Sequence, residues 1–115
     1  MKINEKQFSS GIKIISNDIN RKILFSLYKD KTYRYSDLRK IIEDYRKWGG
    51  SSGKFAYYLR RLHDKKIVKK ENGNYFLTRF GLQITKLVYD MQNICMEYDL
   101  NDCDADGKIM VMVKR

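Results

Sequence analysis

With 115 residues the chain has room for one compact domain and one core, and it is too small for a conventional two-domain enzyme. Its 24 Lys and Arg stand against 14 Asp and Glu, a formal net charge of +10, while 43% apolar residues with 13% aromatics are enough to fold, which excludes global disorder. No apolar run exceeds the five residues Ile109 to Val113, whereas a membrane span takes about 20 and a signal peptide about 7–15, so the sequence predicts a soluble, cytoplasmic protein.

In chain order, residues 1–15 are an N-terminal extension with a weak signal. Phe8, Ile12 and Ile15 have near-helical spacing, but Ser9-Ser10-Gly11 interrupts it. From Ser16 the pattern sharpens. Ser16, Asn17 and Asp18 offer N-cap oxygens, and Ile19, Ile23, Leu24 and Leu27 recur on one face, which predicts an amphipathic helix to about Lys29. Asp30-Lys31 turn the chain into a short β-prone stretch, Thr32 to Tyr35. Ser36 then caps a helix with Leu38, Ile41, Ile42 and Tyr45 on one face, ending before Gly49-Gly50, where left-handed backbone is easy.

A further helix, 51–65, starts at Ser51 or Ser52. Phe55, Leu59 and Leu62, with Tyr58 alongside, form its narrow buried stripe. Ile67 to Glu71 and Asn74 to Thr78 flank Asn72-Gly73. Asn-Gly between β-prone runs predicts a hairpin over 67–78, because a type I′ turn needs positive φ twice. Thr78 caps a final helix to about Leu100, with Phe80, Ile84, Leu87, Val88, Met91, Ile94, Cys95 and Tyr98 at spacings of three and four.

This order predicts a mainly α protein with a small β-hairpin (α+β). A winged helix-turn-helix occupies 16–80, followed by a long C-terminal dimerisation helix over 81–100 and a polar turn and short strand over 101–115. The final helix is longer than a winged-helix core requires. Leu87, Val88, Met91, Ile94, Cys95 and Tyr98 are therefore expected to pack on the same helix of a second copy; folding back with residues 1–15 is the alternative. Asp102 to Gly107 matches the start of a calcium loop, but Val113 stands where a bidentate Glu is needed. A polar turn into a strand, Lys108 to Lys114, is expected instead.

The charge is concentrated. Residues 21–79 carry 17 basic and 6 acidic residues, a net of +11, whereas residues 80–115 carry 4 and 6, a net of −2. The basic stretch also holds Tyr33, Tyr35, Tyr45, Tyr57, Tyr58 and Tyr75, and cations interleaved with hydrogen-bonding aromatics suit a phosphate polyanion.

Ser16-Asn17-Asp18 through Ile23-Leu24, Tyr35-Ser36-Asp37-Leu38 and Gly53 to Leu62 resemble arsenic-repressor (ArsR)-type winged-helix regulators. Ile67-Val68 and Tyr75 to Gly81 resemble that family's wing and the LT-x-x-G approach to its last helix. The match covers residues 16–88. Ala56 and Tyr58 stand where the family often has Ser and His, and the metal-sensing cluster of Cys, His or Asp is missing. The resemblance thus implies DNA binding and dimerisation without metal sensing.

On the helix 51–65, Lys54, Tyr57, Arg60 and Arg61 face away from the apolar stripe. They are the expected DNA contacts, with Ser51 and Ser52 meeting phosphates at the helix N-terminus. Asp64 is expected to orient an arginine, and His63 to lie on the helix flank. At the wing, Lys69, Lys70, Asn72 and Asn74 reach phosphates or the minor groove. Arg39, Lys40, Arg46 and Lys47 are expected backbone contacts.

One histidine, two cysteines and dispersed carboxylates supply neither a zinc site nor a catalytic constellation. No enzyme, cofactor, metal or small-molecule effector is expected. The partners are double-stranded DNA and a second copy of the chain, and the function is that of a transcriptional regulator, a repressor acting by occupancy. An architectural nucleoid binder or a winged-helix protein-interaction module is the alternative. The Lys-, Ile- and Tyr-rich composition without proline suits an AT-rich archaeal or viral genome.

Overall fold

A computed structural model describes residues 4–46 and 52–98. Within them the order is α1 Glu5–Ser16, α2 Asp18–Ser26, β1 Tyr33–Arg34, α3 Tyr35–Arg46, α4 Ser52–Asp64, β2 Val68–Glu71, β3 Asn74–Leu77 and α5 Arg79–Glu97. The architecture is mainly helical with one small antiparallel sheet. Gly49-Gly50, Ser51, Lys47, Leu100, Cys103, the calcium-like turn and the strand 108–114 lie outside the described residues.

α1 runs through Ser9-Ser10-Gly11 without the expected interruption. Asn4 Oδ1 accepts from the Gln7 amide at 3.1 Å and caps the helix. Ser10 Oγ donates to the Lys6 carbonyl at 3.1 Å, so the serine bonds within its own helix and does not compete with it. The residue that enters the core is Ile14, while Phe8 and Ile12 of the expected stripe are exposed.

Asn17 ends α1 and caps α2, accepting from the Asn20 amide at 3.0 Å. Asn20 Nδ2 and Arg21 Nη1 donate to the last carbonyls of α1, at Ile14 (3.0 Å) and Ile15 (2.8 Å). Side chains of α2 therefore satisfy acceptors that a helix end leaves open, and they set the angle between the two helices. The second helix stops at Ser26, short of Lys29, because Lys29 and Asp30 both take positive φ, 62° and 60°. β1 is only two residues long because α3 begins at Tyr35, ahead of the expected cap Ser36.

The hairpin forms as the Asn-Gly signal requires, with φ of 52° at Asn72 and 80° at Gly73. A third strand joins it: β1 pairs with β3 (Tyr33↔Tyr75, Arg34↔Asn74), which gives the order β1-β3-β2. One core holds Ile19, Ile23, Leu24 and Leu27 of the α2 segment, Leu38 and Ile42 of α3, Phe55, Leu59 and Leu62 of α4, and Val68 and Leu77 of the hairpin.

Thr78 starts α5 as a cap, accepting from the Gly81 amide at 3.1 Å while its hydroxyl reaches the Lys66 carbonyl at 2.7 Å. Gly81 lies so close to the Ile67 carbonyl that a Cβ there would overlap it, so the glycine permits the helix start to dock on the α4–β2 junction. The chain divides into two units within α5, after Thr85. Among the described residues no helix is long and apolar enough to cross a membrane.

Candidate functional site

The site is built on α4. Phe55, Leu59 and Leu62 are fully or almost fully buried and anchor one side of the helix. At about 100° per residue, Tyr57 then points within about 15° of directly away from that stripe, with Arg60 and Arg61 about 50° to either side. Lys54, Tyr57, Arg60 and Arg61 are all exposed, Tyr57 with 55% of its surface open. Amphipathic spacing alone places them, because the stripe leaves no other face for solvent.

The side chains on this face are already organised. Arg61 Nη1 donates to Tyr57 Oη at 2.9 Å, and the guanidinium carbon lies 5.6 Å from the Tyr57 ring centroid. Tyr57 in turn meets Tyr58 edge-on, with ring centroids 5.3 Å apart. The arginine orienter expected in Asp64 is thus Tyr57. Asp64 itself lies beside exposed His63, 3.9 Å from Nδ1, since both side chains sit at the helix end where Arg61 has turned back toward the N-terminus.

The hairpin is tied to α4 through a row of aromatics. Tyr35 packs on Phe55 at 5.2 Å and on Tyr75 at 6.5 Å between centroids, so a ring from the start of α3 spans from the buried stripe of α4 to β3. Lys70 Nζ lies 5.6 Å from the Tyr75 centroid. The strand register places Lys70, Tyr75 and Tyr33 on one face of the sheet and Lys69, Asn74 and Arg34 on the other. The expected wing residues therefore split: Lys70 sits over the aromatic row, Lys69 and half-buried Asn74 share the opposite face, and exposed Asn72 occupies the tip.

On α3, Arg39 Nε bonds Glu43 Oε1 at 2.7 Å, one turn along the helix. The hydrogen bond to that carboxylate raises the arginine's pKa above its ordinary value. Arg39 thus has a partner already, whereas Lys40 is exposed. The side chains of Arg46, Lys47, Ser51 and Ser52 lie outside the described part.

Sequence reasoning overlooked Tyr35 as the strut between helix and hairpin, and Arg34 as a cation brought beside Asn74 by the third strand. No periodicity marks either, since Tyr35 depends on ring packing between distant residues and Arg34 on strand pairing. Exposed Lys65 and Lys66, in the α4–β2 turn, are legible in the sequence only as a charge run.

The distal part of α5 has its own exposed row. Leu87, Met91 and Ile94 stand 57%, 50% and 57% open at i, i+4, i+7, and Cys95 beside them is a free, exposed thiol. Val88, expected in the same intersubunit set, is buried at 4% exposure, unlike its neighbours in that row. Tyr98 is half-buried. Among the described residues no three His, Cys, Asp or Glu side chains converge as a metal site requires.

These features define a mainly helical α+β domain that displays a cationic, tyrosine-bearing helix next to a hairpin. The chain belongs to the family described as a domain of unknown function (DUF7347), which matches residues 9–88, from within α1 to Val88 of α5. No curated protein and no solved structure matches the chain.

Proposed function

We propose that this chain is a winged helix-turn-helix protein of ArsR-like type that binds double-stranded DNA as a dimeric transcriptional regulator. α4 would enter the major groove, and β2–β3 would serve as the wing on the backbone or minor groove. The observation that carries the reading is the outward face of α4, where Lys54, Tyr57, Arg60 and Arg61 are exposed together over a fully buried opposite face. The element order and the basic hairpin lysines support it. Regulation then needs no chemistry, since occupancy of the operator blocks polymerase. The exposed Leu87, Met91 and Ile94 row supports a second copy as partner, which makes the operator near-palindromic.

Titration of a labelled duplex pool at increasing salt tests the DNA reading. If six to ten phosphates are engaged, affinity falls by about 10³–10⁵-fold between 50 and 200 mM salt. No binding at low salt, or a flat salt response, would sink it.

A further inference from the structure

We infer that Arg61, held in place by Tyr57, reads a guanine in the major groove, while Arg60 serves the backbone; this rests on the DNA-binding reading of α4. The two arginines are neighbours in sequence and equally basic, yet the structure treats them differently. Arg61 leans one turn toward the helix N-terminus and donates from Nη1 to Tyr57 Oη at 2.9 Å, with its guanidinium carbon 5.6 Å from the ring centroid. Tyr57 is the residue that points most directly away from the buried stripe, so it draws the Arg61 fork to the centre of the exposed face.

The chemistry of the fork sets what it recognises. A guanidinium carries five N–H donors, so one bond to Tyr57 leaves four, and a bidentate contact to guanine O6 and N7 needs two. Base readout depends on a donor pair held at a fixed angle, because a wrong base is rejected only when the group cannot swing to another acceptor. A phosphate accepts from many directions and suits a flexible side chain. Exposed Arg60 and Lys54 flank the centre and fill that role. The Tyr57 hydroxyl, used as an acceptor by Arg61, keeps its own hydrogen for a neighbouring oxygen. Tyr57 acts here as a positioning residue, and Arg61 as the one that touches the base.

Selection of bound duplexes from a random pool, with the wild type and four exposed-site variants, tests this. The wild type should prefer guanine at one position in each half-site. Arg61→Ala should lose about tenfold to a hundredfold of that preference at that position alone. Tyr57→Phe, which keeps the ring and removes the hydroxyl, should relax that preference by about threefold to tenfold, more than it weakens binding to random duplex. Arg61→Lys should not restore it, because an ammonium lacks the fork. Arg60→Ala should keep the preference and weaken all sequences, lowering the salt slope by about one. Uniform weakening in Arg61→Ala makes Arg61 a phosphate contact and overturns the inference. A wild type that binds without preference, or a Tyr57→Phe profile identical to the wild type, overturns it too. In each of those cases the DNA reading stands; absence of any binding by the wild type removes that reading itself.

Discussion

Helix α4 and the distal half of α5 both expose large side chains, and they do so in opposite chemical styles. On α4 the exposed face is Lys54, Tyr57, Arg60 and Arg61, where the one ring is in contact with a guanidinium and its hydroxyl is hydrogen-bonded. On the distal half of α5 it is Leu87, Met91 and Ile94, apolar side chains without a nitrogen or oxygen atom among them. Every apolar Å² left in water there forgoes about 25 cal/mol of stabilisation. The α4 face can meet a wet, charged surface and stay hydrated at its rim; the α5 row gains only from a dry partner. Exposure by itself therefore says little about a ligand, and what the exposed atoms can bond to says more. The charge follows the same division, with a net of +11 over residues 21–79 and −2 over residues 80–115.

The strongest perturbation of the α4 side is at its anchor. Phe55 is fully buried and packs on Tyr35, so Phe55→Ala should cost about 3–5 kcal/mol in urea denaturation. A loss under about 1 kcal/mol would mean that α4 is held by something other than its stripe. On the α5 side, Met91→Glu puts a carboxylate into the exposed row, where a dry interface would have to desolvate it at a cost of several kcal/mol. Light scattering should then report the monomer mass where the wild type reports the dimer, with helicity unchanged. A monomeric wild type at micromolar concentration breaks the comparison, because the row would have no second copy to cover it.

Smaller effects sharpen the same contrast. Gly81→Ala forces a Cβ onto the Ile67 carbonyl and should cost about 1–3 kcal/mol, read as a lower urea midpoint. At Gly73 an added methyl would meet nothing within 4 Å, but φ is +80°, so Gly73→Ala should cost about 1 kcal/mol from backbone strain alone. Equal costs at the two glycines would remove the distinction between a packing glycine and a turn glycine.

The amino-acid sequence by itself determined the stripes of α2 and α4, the Leu38 and Ile42 part of the α3 stripe (Tyr45, expected on it, is 47% exposed), the Asn-Gly hairpin and the outward set Lys54, Tyr57, Arg60 and Arg61. All of these depend on local periodicity or on one turn's φ requirement, and both are written into neighbouring residues. It underestimated α1, whose helix is secured by the Asn4 cap and by bonds from Asn20 and Arg21 to its last carbonyls. Tertiary structure alone decided that β1 joins β3, that Tyr35 bridges Phe55 and Tyr75, that Val88 is buried, and that Arg61 is partnered where Arg60 stays open to solvent. The physical reason is range. A helical face follows from residues three and four apart, whereas a strand partner, a ring strut or a burial depends on residues brought together from distant parts of the chain, and the choice between two adjacent arginines depends on which side-chain direction finds a neighbour.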